Sequence, residues 1–394
     1  MLFKSVSHLH IFILSLGFVL VNLVLYTQLG VMEDSDTERY LTYAREIQER
    51  GIFFKPHEFW YIVYPLFIIL MTSIYNSLGM VVFGQLLLSY TALISVYASA
   101  KSLYAQPKAG LWAGIGFVVF FMISYWNFEI YCESLLISLN CLAFYFILRG
   151  VRGRGGQQLW GMGSLIILAA VFTKPTGIAL LAGVFALLLT LLWHKIKKRT
   201  VKYTCLMVGT LTLLLLANKM LSTFTFVRDY QVGEIIYNLE VLPFGAYEKW
   251  LKLEVPQDLY LPDASWPPLV QLLVLVLANP LYALQLLGAK LFYYLFYIRP
   301  YYSSMHNGYM LLILLPFYIG FVKGIRSNKV PMGIRVMVAV FLLVSILSTI
   351  LMTIDWRNRF LVAILPWVLI IGSGSLAKIE YAGLFGRIWG KRKG

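Results

Sequence analysis

Charged side chains are scarce in this chain: only 13% of its 394 residues are Asp, Glu, Lys or Arg, whereas 60% are hydrophobic. A soluble domain needs a polar shell around its core, and this composition leaves too few polar residues to form one. The apolar residues fall in repeated runs that are long enough to cross a bilayer. The sequence therefore predicts an all-α polytopic membrane protein.

Acidic residues are the scarcer charge, with 18 Asp and Glu against 33 Lys and Arg, which gives a net charge of +15. A nucleic-acid-binding protein gathers its basic residues on one soluble face, but here they stand at the ends of the apolar runs. That placement is typical of cytoplasmic loops and of contacts with anionic head groups. We expect membrane lipids as partners and no nucleic acid.

Cysteine is rare as well, since only Cys132, Cys141 and Cys205 occur. Their spacing fits neither a metal site nor a disulfide framework. No His-rich or Asp-x-Asp pattern is strong enough to require a metal. We predict no required cofactor and no metal ligands, although a divalent metal without a recognisable motif stays open.

Basic residues in every second loop predict the topology, because each true span moves the next loop to the other side. The first apolar run, about 11 to 29, lacks a small-residue cleavage site and is expected to be an uncleaved span. Residues 60–78 contain Pro65 and Asn76 and are interpreted as a juxtamembrane or re-entrant helix, because counting them as a span would place all the basic clusters outside. The other predicted spans are 81–100, 110–125, 134–148, the stretch from Arg154 to Thr173, the stretch from Gly177 to Lys195, 203–221, 308–322, 333–353 and 360–377.

The predicted organisation has three parts, with about ten spans and both termini in the cytoplasm. Residues 1–222 form a transmembrane module whose first outer loop covers 31–78. Residues 223–306, with acidic residues such as Glu240, form an outer loop with interfacial helices; whether 267–298 cross the membrane is left open. Residues 307–394 form the last spans and a basic cytoplasmic tail, Arg387–Lys393.

The first outer loop opens with a cluster of charge, Met32–Tyr40, directly behind the first span. Ionisable groups at a membrane edge are candidates for function. After it, Tyr40, Ala44 and Ile47 recur at helical spacing and Gly51 can end a helix, which predicts an amphipathic surface helix capped by Ser35 or Asp36.

The predicted topology places acids and bases from distant loops on one outer face. Such a face suits an amphiphilic, phosphate-bearing substrate, because the planar arginine fork binds oxyanions with two parallel hydrogen bonds. The charged side chains assigned to it are those of the first loop, Glu129, Glu133, Lys174, the acidic long loop, His306, Arg357 and Arg359.

The order of these features resembles the GT-C superfamily of membrane glycosyltransferases, in particular the branch of protein O-mannosyltransferases and the lipid A aminoarabinose transferase. In that branch an acidic residue precedes a Tyr-containing helix, a glycine and a Pro-flanked juxtamembrane helix. The N-terminal half matches well and the last two spans match loosely, with Asn358 in place of the aromatic residue between two arginines. The matching residues are Asp36 to Tyr40, Gly51, Tyr64-Pro65-Leu66, Tyr131-Cys132-Glu133, Thr173-Lys174-Pro175-Thr176-Gly177, Arg357, Arg359 and Pro366.

The resemblance implies a GT-C-like fold and transfer of a sugar from a polyprenyl-phosphate donor to the hydroxyl of a glycan, lipid or protein, with inversion. A poor nucleophile such as a hydroxyl needs a base. The resemblance assigns that role to Asp36, with Asp34 second, and Glu133 would orient the acceptor or a cation. Cations would stabilise the leaving phosphate. The predicted substrate-binding residues are Asp34, Arg39, Tyr40, Lys174, Arg357 and Arg359.

Several alternatives stay open on the sequence alone. Asp36 can be a helix cap, Glu133 a helix-start acid, and Arg357 with Arg359 ligands of lipid head groups. A lipid or polysaccharide transporter or flippase would need polar residues at mid-membrane depth and an internal repeat. A non-catalytic scaffold would tolerate loss of Asp36. The expected location is the bacterial inner membrane, with the active site facing the periplasm or exterior.

Overall fold

The computed structural model describes residues 2–55, 58–153, 156–193, 195–222, 226–236, 245–352 and 354–378. The predicted tail Arg387–Lys393, together with Arg154 and Glu240, lies outside the described residues. Within the described ranges the chain is helical and pairs as β-structure only in three isolated bridges, which confirms the all-α fold. The helices are α1 (Leu2–Leu29), α2 (Ser35–Arg50), α3 (Val63–Ile74), α4 (Leu78–Tyr104), α5 (Pro107–Val119), α6 (Met122–Tyr125), α7 (Cys132–Val151), α8 (Gln157–Val171), α9 (Ile178–Leu192), α10 (Arg199–Leu221), α11 (Phe226–Val232), α12 (Glu248–Leu251), α13 (Pro268–Ala278), α14 (Pro280–Phe296), α15 (Ser304–Ile325), α16 (Met332–Ile350) and α17 (Arg359–Leu376).

The bundle has two ends of opposite character. The basic end holds the last turns of α4 and α7 with Lys101, Arg149 and Arg152, and the ends of α15 and α17 with Lys323 and Lys378. The site end is the opposite one, where α2, α7 and α17 begin. Helix α7 connects the two over 20 residues, or about 30 Å, which is the thickness of the hydrocarbon core.

Eight helices of the described residues are long and apolar enough to cross a membrane. Two predicted spans fall short of that length: α5 is broken from α6 at Phe120, and α8 has 15 residues. Both nevertheless run from the basic end to the site end. Pro107 lines a cavity with Lys101, whereas Tyr125, at the end of α6, accepts a hydrogen bond from Arg357 at 3.0 Å. The count of about ten spans stays a prediction.

The predicted amphipathic helix is α2. Its apolar face is buried through Tyr40, Ala44 and Ile47, which are 3%, 5% and 7% exposed. The helix ends at Gly51, whose φ of +82° is the left-handed conformation that glycine adopts without strain. Helix α3, with 12 residues, is too short for a span, as expected for residues 60–78.

Helix α17 is the centre of the bundle, and nearly all of its side chains are buried. Its close neighbour α15 carries small residues at the spacing that permits near backbone contact in membranes. A Cβ placed on Gly320 would lie 2.4 Å from the carbonyl oxygen of Gly372, and one on Gly324 would lie 2.3 Å from that of Ile371. These glycines hold α17, and hence its first residue Arg359, in a fixed position.

Helices α13 and α14 meet at a bend of 107°. Leu269 at the start of α13 bonds to Asn218 at the end of α10, at 3.0 Å. The side chain of Lys290 in α14 donates to the carbonyl of Met352, just after α16. Both contacts lie at the site end, and whether α13 and α14 cross the membrane stays open.

Candidate active site

The site end gathers carboxylates and cations that are far apart in the sequence. We call this set the charged cluster. Its salt bridges join residues that precede or begin α2, α7, α9 and α17. The cluster consists of Asp34, Asp36, Glu129, Glu133, Lys174, Asp355, Arg357 and Arg359.

A short backbone pairing fixes the first loop against the segment before α7. The amide of Met32 donates to the carbonyl of Phe128 at 2.7 Å, and the amide of Ile130 donates to the carbonyl of Met32 at 3.1 Å. Thr37 strengthens this contact, because its hydroxyl accepts from the amide of Asp34 at 2.9 Å and lies 3.3 Å from the carbonyl of Ile130. The carboxylates of Asp34 and Asp36 are thereby brought beside Glu129 and Glu133.

Arg357 bridges two carboxylates, those of Asp34 and Glu129. Its guanidinium also donates to the hydroxyl of Tyr125 at 3.0 Å and lies over the ring of Trp356, 4.3 Å from its centroid. Burial lowers the pKa of Arg357, but attraction by Glu129 and its neighbours outweighs burial and raises it. The arginine therefore stays charged.

Glu129 is the most unusual acid of the cluster. Only 1% of its side chain is exposed, and burial raises its pKa to about 8, although Arg357 opposes the rise. One carboxylate oxygen contacts Arg357, whereas Oε1 is buried without a hydrogen-bond partner in the described part of the chain. A neutral carboxyl group is thus favoured near neutral pH.

A second centre forms around Arg359 and Glu133. Arg359 lies 3.4 Å from Asp36, 3.3 Å from Asp355 and 3.6 Å from Glu133. Glu133 is also paired with Lys174, and only 1% and 8% of these two side chains are exposed. A buried charge of this kind is tolerated only when it has a partner.

The turn at Thr173–Gly177 presents Lys174 to Glu133. Pro175–Gly177 forms one turn of 3₁₀ helix that leads into α9. Gly177 permits close contact with α8, because an added Cβ would lie 2.6 Å from the Cα of Val171. The ammonium group of Lys174 then lies 4.4 Å from the ring centroid of Phe360, one residue after Arg359.

Arg299 holds the turn that carries both cluster arginines. It is completely buried and donates to the carbonyls of Asp355 and Trp356, at 3.2 and 3.3 Å. Tyr297 donates to the carbonyl of Arg357 at 2.6 Å. Asn358 adopts a φ of +54°, which asparagine tolerates better than most residues, so the turn directs Arg357 and Arg359 to the two centres.

Residues 55–221 match the family model of dolichyl-phosphate-mannose-protein mannosyltransferases. The GT-C resemblance is thereby confirmed.

The apolar helices support an integral multi-pass membrane protein, and the matched segment is similar to a glycosyltransferase family. The matched segment contains Glu129, Glu133 and Lys174, while Asp36 and Arg359 lie outside it. No curated protein matches the chain.

The structure brings most of the predicted site residues together, but not all of them face the same space. Asp34, Asp36, Glu133, Lys174, Arg357 and Arg359 belong to the charged cluster. Arg39 instead lies over the ring of Tyr61, 4.6 Å from its centroid. Tyr40 is buried behind the cluster, and its hydroxyl lies 3.1 Å from the sulfur of Cys132. The catalytic and binding roles of these residues stay predictions.

Three members of this arrangement had no predicted role. Glu129 lies only four residues before Glu133, and Asp355 four residues before Arg359. These spacings could have drawn attention to them. Nothing local marks Arg299, because its partners lie 56 and 57 positions away.

Among the described residues, no group of three or more His, Cys, Asp or Glu side chains is arranged to hold a metal ion. The cluster carboxylates face arginine and lysine groups. Metal dependence therefore remains a matter for experiment.

Proposed function

We propose that this protein transfers a sugar from a polyprenyl-phosphate donor to an acceptor hydroxyl with inversion at the anomeric carbon. The observation that carries the proposal is the partly exposed carboxylate of Asp36, which faces Arg359 at 3.4 Å at the edge of a buried set of ion pairs. This reaction needs a base that the acceptor can reach and cations that the phosphate can reach.

Exposure favours Asp36 as the general base. Its side chain is 36% exposed and that of Asp34 is 38% exposed, whereas Glu129 and Glu133 are each 1% exposed. Asp34 contacts Arg357 directly, so its lone pairs are partly engaged. Asp36 has one longer contact to Arg359, so more of its carboxylate is free to contact an acceptor hydroxyl.

The proposed reaction is a single displacement. The acceptor oxygen forms a bond to the anomeric carbon while its proton passes to the Asp36 carboxylate. The bond from that carbon to the phosphate oxygen breaks, and its electron pair leaves with the polyprenyl phosphate. The configuration inverts because the nucleophile attacks opposite the leaving group.

Cations on two sides would stabilise the leaving phosphate. Arg357, Arg359 and Lys174 belong to the charged cluster, and each also contacts carboxylates. Arg39 lies one turn of α2 after Asp36, but its guanidinium lies over the ring of Tyr61, so it would act only from a distance. Contacts that strengthen as charge develops lower the barrier.

An apolar cavity of about 310 Å³ beside the cluster suits the prenyl chain of the donor. It lies between α9, α10, α13 and α16 and includes Ile178, four residues after Lys174. Leu214, Leu272 and Leu347 are among the apolar side chains that line it. A lipid phosphate near Lys174 would thus have a nearby place for its hydrocarbon.

Charge asymmetry supports an outward-facing site. The opposite end of the bundle carries Lys101, Arg149, Arg152, Lys323 and Lys378, and basic loops favour the cytoplasmic side. The site end would then face the periplasm or exterior, in a bacterial plasma membrane with an undecaprenyl carrier. The acceptor would be a hydroxyl group of a glycan, lipid or protein.

Comparison of Asp36→Asn with Glu38→Gln tests the proposal. The full chain in lipid nanodiscs is supplied with an undecaprenyl-phosphate sugar and membrane extract as acceptor, and release of undecaprenyl phosphate is measured. Loss of a general base should lower kcat by about 10²- to 10⁴-fold. Glu38 lies on the same helix turn, but its side chain is 72% exposed and pairs with Arg45, so its variant should retain activity.

Unchanged turnover in Asp36→Asn would refute the assignment of the base. Equal losses in both variants would show that the effect is not specific to Asp36. Absence of transfer by the intact protein, with movement of the donor between leaflets, would favour a flippase.

A further inference from the structure

A large cavity lies at the basic end, across the bundle from the charged cluster. It has a volume of about 920 Å³ and lies between α1, α4, α5 and α7. That volume is within the range of small-molecule sites, about 300 to 1,000 Å³. The proposed transfer reaction has no use for a cavity at this end.

The polar part of the cavity wall is cationic. Lys101, Arg149 and Arg152 line it together with His8, and none of its lining residues is Asp or Glu. All three cations are partly buried. Positive charges that share a partly dry space attract an anion more strongly than exposed ones do.

The cations are held in place before any ligand arrives. Lys101 donates to the hydroxyl of Ser7 at 2.9 Å, and Arg149 donates to the hydroxyl of Tyr145 at 2.9 Å. Arg152 donates to the carbonyl of Leu103 at 2.8 Å. Because these side chains are already ordered, binding of an anion loses less conformational entropy.

The deeper wall is apolar. Ile94 lines the cavity seven residues before Lys101 on α4, which is about 10 Å further into the bundle. Ile11 and Ala98 line it as well. Helix α1 also presents Leu9 and Phe12 outward, with 51% and 64% exposure, so the cavity borders the surface that faces lipid.

We propose that this cavity binds an anionic phospholipid of the leaflet at the basic end, with its phosphate among the three cations. An inorganic phosphate would leave the apolar wall unused. A glycerophosphate with the first part of two acyl chains suits both the cationic and the apolar parts of the wall. This inference does not depend on the proposed transfer reaction.

Exposed basic residues at the same end provide a control for attraction of the lipid by general surface charge. Lys197 and Lys198 are exposed and do not line the cavity. If general surface charge attracted the lipid, these residues would matter as much as Lys101 does.

The test is a titration of the full-length protein with phosphatidylglycerol and with phosphatidylcholine of the same chains, followed by native mass spectrometry. We expect tighter binding of phosphatidylglycerol. Lys101→Gln should weaken it about tenfold, the effect of one charge-assisted hydrogen bond. Ala98→Trp keeps every charge but occupies part of the cavity about one turn of α4 before Lys101, and should reduce the preference. Lys197→Gln/Lys198→Gln should bind as the wild type does.

Equal affinity for the two lipids would overturn the proposal, as would a loss in the Lys197/Lys198 control that matches the loss in Lys101→Gln. Wild-type binding by a natively folded Ala98→Trp, as judged by circular dichroism and thermal unfolding, would show that the lipid lies elsewhere. Preferential capture of undecaprenyl phosphate over phosphatidylglycerol would assign the cavity to the carrier lipid instead.

Discussion

The variant Glu129→Gln tests how the charged cluster accommodates a phosphate. Its salt bridges join five carboxylates, those of Asp34, Asp36, Glu129, Glu133 and Asp355, to three cations. A donor phosphate would add further negative charge to this acid-rich set. Protonation of one carboxylate relieves the repulsion, and Glu129 is the acid whose environment favours it.

The expected magnitude follows from the pKa of Glu129, which burial raises to about 8. If donor binding requires the neutral acid, the KM for the donor rises as Glu129 ionises. At pH 9 only about one molecule in eleven retains the proton, so KM should be about 11-fold higher than at pH 6. Gln is neutral at every pH, and Glu129→Gln should keep a nearly constant KM over this range.

Stability should change with pH in the same region. The native pKa of about 8 lies above the ordinary value of 4.5, so the native state binds the proton more tightly than the unfolded state does. The stabilisation is complete below pH 4.5 and is lost as the pH rises through 8. The wild type should therefore lose thermal stability over this interval more steeply than Glu129→Gln does.

The assay measures initial rates of undecaprenyl-phosphate release at several donor concentrations between pH 6 and 9.5. The donor KM and kcat are analysed separately, because the protonation of Glu129 should change the KM for the donor. A flat KM for the wild type up to pH 9.5, or the same pH dependence in Glu129→Gln, would refute proton-linked binding at Arg357.

Two further perturbations address the supports of the cluster. Lys174→Met removes the partner of the buried Glu133 and should lower the free energy of unfolding by about 3 kcal/mol. The double variant Lys174→Met/Glu133→Gln should recover most of the thermal stability. A double variant as unstable as the single one would contradict the pairing. Arg299→Lys retains the charge but loses the guanidinium group that holds the 355–358 turn. Because Arg357 and Arg359 would then be misplaced, kcat should fall about tenfold or more. A rise in the donor KM of about tenfold without loss of kcat would count against a positioning role.

Local pattern was sufficient to predict α2. The spacing of Tyr40, Ala44 and Ile47 and the glycine at position 51 act within one segment, and the structure confirms the helix and its buried face. The alternation of basic loops likewise predicted which loops would meet, because sidedness depends only on the number of crossings. Helix lengths were less predictable, since the break at Phe120 leaves α5 with 13 residues.

Pairing within the cluster was beyond the sequence. Arg357 meets Asp34 across 323 positions and Glu129 across 228, and no local periodicity records such contacts. The sequence also could not show that the hydroxyl of Tyr40 lies 3.1 Å from the sulfur of Cys132, and the binding role of Tyr40 stays a prediction. Residue type and loop position identify a set of charges, but only packing decides which of them are neutralised by one another.

The origin of the cluster residues bears on how specificity for the sugar would arise. The family match includes Glu129, Glu133 and Lys174 but ends at residue 221, so both cluster arginines come from outside it. Their turn is fixed by Arg299 and Tyr297, which follow α14 in the region 223–306 that the sequence predicts as an outer loop. A change in α14 or its connection to α15 would move Arg357 and Arg359, and with them the contact of Arg359 with Asp36 at 3.4 Å. If the proposed function holds, this connection would therefore influence both the cations around the phosphate and the carboxylate proposed as the base.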